Sequence, residues 1–310
     1  MLSNYFKIAV RTLARSKAFS LINVTGLTVG MTCWILILLY VLHESNFDAY
    51  HPNAGRIYRV EVAHWATAPM AIAPYMTRHF PETEKSVRFL RVTRASVGRE
   101  NEFFAEKKFF FADSTAPAVL SIPFLIGDPS HALAAPNSVV LTRAMAAKYF
   151  GSENPVGKTL KVETGRPYLF TVTGVAEDVP DQSQLKFDFL ASFSTLTPLP
   201  ENDKRPWVQS TTYSYLLLRP GADVPALERN ITGVLNQRLG EQDSATVQLR
   251  PIREIHLHSD CEKETEPIGS SRDMYILLSI AMLILALAVI NFVNLSTARS
   301  LKRAKEVAMR

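Results

Sequence analysis

The stretch SLINVTGLTVGMTCWILILLYVL, residues 20–42, runs for 23 positions without a charge. At 1.5 Å per residue a helix of this length reaches about 34 Å, enough to cross the hydrocarbon core of a bilayer. A second run, MYILLSIAMLILALAVINFVNL at 274–295, is 22 residues long and uncharged, about 33 Å on the same rise. A removable secretory signal would follow a shorter apolar core with a small-residue cleavage site. Here His43, Glu44, Ser45 and Asn46 follow instead, so the first run reads as an uncleaved anchor.

The flanks set the orientation. Lys7, Arg11, Arg15 and Lys17 precede the first run with no acid before Glu44, and Arg299, Lys302, Arg303, Lys305 and Arg310 follow the second against Glu306 alone. By the positive-inside rule both ends of the chain face the cytoplasm. Nine of the 34 basic residues and one of the 29 acidic ones lie in these flanks, which leaves 25 against 28 between the runs. The net +5 of the chain therefore reports topology, and it gives no support to nucleic-acid binding. The expected order is a cytoplasmic amphipathic helix at 1–19, a span at 20–43, an outer domain at 44–272, a second span at 273–296 and a cytoplasmic segment at 297–310. Cys33 falls within a span and Cys261 outside it, so no intrachain disulfide is expected.

In the outer segment, RIYRVEVA at 56–63 alternates Ile57, Val60 and Val62 with Arg56, Arg59 and Glu61, the pattern of a half-buried strand with its charges outward. A short helix is expected at 70–80, β-rich runs at 86–97 and 102–112, and a turn or helix at 118–125. A strand at 138–141 leads through Thr142, a plausible N-cap, into a helix at 143–150 closed by Gly151. Strands follow at 159–163, 168–175, 211–218 and 246–251, a helix at 225–239, and an exposed loop at 198–206. There is no repeat of fixed period. The irregular alternation points to an α+β domain between two spans.

Few patterns offer chemistry. Gly151 to Thr159 resembles a phosphate loop, but five residues separate Gly151 from Gly157 where four are required, and a helix precedes it where a strand should. It reads as a helix-to-strand connection. His256 and His258 would share one face of a strand, yet two ligands do not make a metal site, and a surface strand is the expectation. Glu82/Glu84 and Asp178/Asp181 read as solvated turn carboxylates. No hydrolase elbow or zinc-protease motif is present. No catalytic residue, no cofactor and no metal is expected.

The spans say more. Residues 4–19 place Lys7, Arg11 and Arg15 four apart, with Phe6, Ala9, Val10 and Leu13 between them, as in a helix lying on the cytoplasmic surface of the membrane. Gly26 and Gly30 form a Gly-x-x-x-Gly pair, with Thr25 and Cys33 near the same face, which favours close helix packing in lipid. Asn291 and Asn294 put two amides on one side of the second span, where lipid contact is costly, so both are expected to face a helix.

The opening Asn4 to Leu13, the Ser20 to Leu27 entry into the span, Tyr40 to Val60, Lys148-Tyr-Phe-Gly151 through Leu160, Gly174 to Pro180, Ile255 to Ser259, and Asn291 to Ser300 with Arg303 to Arg310 together resemble permease subunits of the MacB/FtsX-type ABC transporter family. Such permeases have four helices per unit, sometimes duplicated. The domain between the first two projects into the periplasm as a porter-like lobe of βαβ units with a second lobe inserted. The resemblance implies a multi-pass protein of the bacterial inner membrane, dimeric, paired with a cytoplasmic ABC ATPase and in some members with a periplasmic adaptor or substrate protein. Such members export drugs, peptides or toxins, move lipoproteins or regulate cell-wall hydrolases by mechanical transmission. On this basis Lys302, Arg303, Lys305, Glu306 and Arg310 are expected to form the ATPase-coupling surface, with 4–19 as a second contact. Ala308 stands where the family commonly has glycine, and the chain stops before the third and fourth helices, so a longer natural protein is expected. The rival readings are a two-span sensor whose outer domain binds a ligand, and a tethered hydrolase.

Overall fold

The computed structural model describes residues 17–99, 102–196, 205–240 and 244–309. They fall into two compact units, a helical one built from the two ends of the chain and a sheet domain, Asn46–Gly269. The chain enters through helix α1 (Lys17–Ser45).

The sheet domain begins with β1 (Ile57–Val62), β2 (Ala68–Pro69), α2 (Ile72–His79) and β3 (Thr83–Val92). It continues through β4 (Ala95–Arg99), β5 (Glu102–Glu106), β6 (Phe109–Ala112), α3 (Ala116–Val119), β7 (Phe124–Ile126), β8 (Ser138–Thr142), α4 (Arg143–Phe150), β9 (Thr159–Glu163), β10 (Pro167–Ala176) and β11 (Phe189–Ser192). It closes with α5 (Arg205–Val208), β12 (Ser210–Leu218), α6 (Val224–Leu239), β13 (Val247–Pro251) and α7 (Ile255–His258), after which α8 (Ser271–Ala308) follows. The described strands form one sheet in the order β13-β1-β12-β3-β6-β11-β8-β10-β9-β4-β5, with β2 on β12 and β7 on β10.

Two lobes share this sheet. β1-α2-β3 and β12-α6-β13 are two βαβ-type units whose strands interleave as β13-β1-β12-β3, every neighbour antiparallel, the split βαβ arrangement. Both helices cover one face. Ile72, Ala73 and Met76 of α2 and Leu227, Ile231 and Leu235 of α6 pack on Val60, Val62, Leu216, Leu218 and Leu249. The four-residue spacing of the α6 residues is the apolar stripe that drives this docking. Each such side chain contributes about 1.5–3 kcal/mol on burial.

The chain between β3 and β12 builds the inserted lobe, joined to the first by antiparallel pairing of β6 with β3. Its core is aromatic: Phe109, Phe111, Phe170 and Phe189 are buried together with Val139, Leu141 and Leu160. Phe109 and Phe189 lie ring on ring at 5.6 Å. The architecture is thus an α+β domain of a βαβ lobe with a second lobe inserted, flanked in sequence by two long apolar helices.

Several local expectations change. Thr142 sits at the N-cap of α4 but its hydroxyl makes no capping bond. Asp178 caps the helix from outside, its Oδ1 accepting from Ala144 N at 2.8 Å and its Oδ2 from Arg143 Nε at 3.2 Å, so it is not a merely solvated carboxylate. The runs at 86–97 and 102–112 each break into two strands, and the segment 118–125, expected as a turn or helix, starts at the end of α3 and finishes inside β7. The last two residues of the expected loop, 205 and 206, begin the helix α5, while 197–204 lie outside the described residues. Gly151 (φ +60°) and Gly157 (φ +87°) turn the chain from α4 into β9, and Lys158 Nζ pairs with Glu153.

In the helical unit α1 and α8 pack side by side. Less-exposed positions recur every three or four residues along both helices, at 23, 26, 30, 33 and 37 on α1 and at 274, 277, 281, 284, 288 and 291 on α8. A Cβ added to Gly26 would stand 2.9 Å from Asn291 Nδ2, and one added to Gly30 2.8 Å from Ala288 Cβ, so the backbones approach more closely than larger residues allow. Ala281 and Ala288 supply small residues on the opposite side of this seam. Asn294, by contrast, is exposed. Leu21, Leu36 and Leu283 are each more than 60% exposed on the outer surface of the pair, where a lipid phase would cover them.

Candidate functional site

After β13 the chain does not return directly to α8. Residues 252–269 run as a strap across the sheet, on the side of β1 opposite α2 and α6, and one side chain from each strand it passes holds it. Arg250 of β13 donates from Nη1 to His258 O at 2.8 Å. Arg59 of β1 reaches Ser259 and Glu264. Tyr213 of β12 donates its hydroxyl to Lys263 O at 2.7 Å, and Arg91 of β3 donates to Thr265 O at 2.9 Å. Backbone bonds from Ala66 N to Glu262 O and from Glu262 N to His64 O add a short bridge.

The centre of this fastening is buried charge. Arg59 is fully enclosed and Glu61 is 2% exposed, so the charged face of β1, read as solvent-facing from its alternation, is a second interior face. Arg59 Nη1 and Nη2 grip Glu264 Oε2 and Oε1 at 2.6 and 2.7 Å, and Nη2 also donates to Glu61 Oε1 at 2.6 Å. Arg250 Nε closes the group with bonds of 2.8 and 3.0 Å to the Glu61 carboxylate. Burial opposes the Arg59 charge, and the Glu264 hydrogen bonds with the neighbouring carboxylates more than offset it, so its pKa is raised. Cys261 beside this group has its thiol pushed up to about 11, by burial first and then by the Glu61 charge.

The segment that follows α1 is fastened next to the strap. Asp48, with φ +54°, donates its N–H to Gln182 O at 2.8 Å and accepts from Ser183 Oγ at 3.0 Å. His51 Nδ1 lies 2.7 Å from Leu120 O, so the proton sits on that nitrogen and Nε2 faces Asp48 Oδ1 at 3.7 Å. Phe47 stacks flat on His256 of the strap, centroids 3.4 Å apart. Gln184 joins the two pieces: its backbone N–H donates to the Asp48 carboxylate at 3.3 Å, while Oε1 lies 3.1 Å from His256 Nδ1, Nε2 donates to Glu266 O, and its backbone carbonyl accepts from Thr265 Oγ1. Both connections leaving the sheet domain are therefore tied to the same few residues.

His256 is buried and lies with His258 on the one-turn α7, so the pair does not share a strand face as the spacing suggested. Lys302, Arg303, Lys305 and Glu306 lie along the backbone of α8 with their side chains outside the described part, and Arg310 and the segment 4–16 lie outside the described residues. The Arg59, Glu61 and Glu264 cluster was missed. Its trace in the sequence is the opposite-sign pair Arg59-x-Glu61 on one strand face, with no local sign that residues about 200 positions later cover it.

A family model described as the MacB-like periplasmic core domain matches residues 20–234. No curated protein matches the chain. Among solved structures, a domain attributed to a permease protein from Porphyromonas gingivalis is similar in fold, at 16% identity with a TM-score of 0.55, over 74% of this chain and 99% of that one. The periplasmic region of MacB from Actinobacillus actinomycetemcomitans matches at 14% identity and TM-score 0.45, over 62% of this chain and 88% of that one. The extracellular domain of the noncanonic ABC-type transporter YknZ from Gram-positive bacteria matches at 14% and 0.46, over 62% and 99%. With the family model covering more than two thirds of its length, the chain belongs to the ABC transporter permease family that carries the MacB-like periplasmic core domain.

Proposed function

We propose that this chain is a permease part of an ABC transporter that relays movement driven by a partner ATPase to its sheet domain, for export, lipoprotein transfer or cell-wall work. In this reading the protein sits in the bacterial inner membrane as a dimer, with both ends of the chain cytoplasmic and Asn46–Gly269 periplasmic. ATP is hydrolysed by the partner, and Lys302, Arg303, Lys305, Glu306 and Arg310 meet it through charge and shape. The seam of Gly26 and Gly30 against Ala288 and Asn291 holds the two spans as one moving element.

The observation that carries the reading is the strap. A relay needs a connection that does not stretch, and charge-assisted hydrogen bonds in a dry interior supply stiffness and direction. The chain just before α8 is fixed to all four strands of the βαβ lobe in this way, and the chain just after α1 is stacked on the same strap.

The test is amide hydrogen exchange on the intact protein with its ATPase, with and without a non-hydrolysable ATP analogue. Protection across 252–269 is expected to change with nucleotide, and charge reversal at Arg303 and Glu306 is expected to abolish the change. Exchange in the strap that ignores nucleotide in the wild-type complex would sink the proposal.

A further inference from the structure

Inside the sheet domain lies a cavity of about 180 Å³, between β12 of the βαβ lobe and residues 120–123 and 177–187 of the inserted lobe. Leu120, Leu185, Phe187, Tyr215 and Ile252 form its buried inner wall. Val179, half-buried, stands nearer a mouth where Pro123 and Pro180 are exposed. The cavity is thus closed at one end and reaches solvent at the other.

Its chemistry narrows what fits. An apolar space of about 150 Å³ suits a benzene-sized ring, whereas ordered water needs two to four polar partners. Most polar groups at the rim are already engaged: Asp48 accepts from Ser183, and His51 bonds Leu120 O. Tyr215 differs, since its side chain is buried, its hydroxyl makes no hydrogen bond among the described residues, and its ring is fixed edge-on against Phe89 at 6.0 Å. Burial keeps that hydroxyl protonated and able to donate. A charged guest would lose its hydration without a counter-ion, and an anion would also meet Asp48.

We propose that this cavity binds a small uncharged phenol, its ring against Leu120, Leu185 and Phe187 and its oxygen hydrogen-bonded to the Tyr215 hydroxyl. Binding needs neither ATPase nor nucleotide.

The test uses the intact chain in lipid nanodiscs and ¹⁹F NMR titration with 4-fluorophenol and fluorobenzene, referenced to empty nanodiscs. Saturable binding of 4-fluorophenol is expected, with fluorobenzene several-fold weaker. Tyr215→Phe should weaken 4-fluorophenol about fivefold, the worth of one hydrogen bond, and leave fluorobenzene unchanged. Val179→Trp, which narrows the mouth, should weaken both probes at least tenfold while amide exchange in β12 stays native. The proposal is overturned if neither probe saturates above the empty-nanodisc signal, if Val179→Trp with native β12 exchange binds as well as wild type, or if Tyr215→Phe leaves the two probes' ratio unchanged.

Discussion

On one face of β1, Val60 and Val62 pack against the aliphatic stripe of α2 and α6. On the other, Arg59 meets Glu264 of the strap through an ion pair of 2.6 Å, while Glu61 pairs with Arg59 at 2.6 Å and with Arg250 of β13 at 2.8 Å. The first kind of contact is non-directional and scales with area, so it tolerates small shifts. The second demands angles and distances and exists in one register. Buried ion pairs add little net stability over an apolar replacement, although losing one partner is severe. The helices therefore keep the lobe folded, while the strap fixes where its outgoing chain is held.

The sharpest break of this comparison is Arg59→Ala. It takes from Glu264, whose side chain is 9% exposed, its cation and leaves buried Glu61 with Arg250 alone, and unfolding of the sheet domain should become easier by about 3–5 kcal/mol in denaturant titration. Leu235→Ala on the helix side opens a cavity and should cost about 3 kcal/mol by the same titration, without altering exchange in the strap.

A third measurement reads the strap chemically. Cys261 has its folded pKa near 11 against an ordinary 9.0, so in a Cys33→Ser background its alkylation below pH 9 should run about 100-fold slower than a free thiol's. A thiol whose pKa is raised by folding favours the folded state less as pH climbs from 9 through 11, so alkylation and loss of stability should rise together there. Glu61→Gln should move the alkylation midpoint down. The smallest effect is expected at Asp223, whose Oδ1 accepts from Ala226 N at 3.0 Å to cap α6; Asp223→Ala should cost about 1 kcal/mol, visible as a lower melting temperature with the strap intact.

The two long apolar helices were legible because an uncharged run of more than 20 residues is rare in a soluble domain, and the strands because β-branched and aromatic residues cluster where they form. The family was legible in the order of its motifs. The charged cluster was not, for a physical reason. Alternation along 57–62 shows that the strand has two unlike faces, but whether the charged one meets water depends on residues 252–269, which local patterning cannot place. His256 was misjudged likewise, since its burial depends on Phe47, at the far end of the domain's sequence. The N-cap at Thr142 failed because Asp178, 34 residues beyond Ala144, outcompetes the local hydroxyl.

The strap also orders the protein's birth. Arg59 and Glu264 are 205 positions apart, and at roughly 5–20 residues per second a ribosome needs on the order of 10–40 s to make the second after the first. Through that interval Arg59 has Glu61 alone, and the face it occupies stays wet. Only when the last twenty residues of the domain emerge, just ahead of the second span, does that face dry. The domain's final lock is thus timed to the moment just before the second long apolar helix emerges.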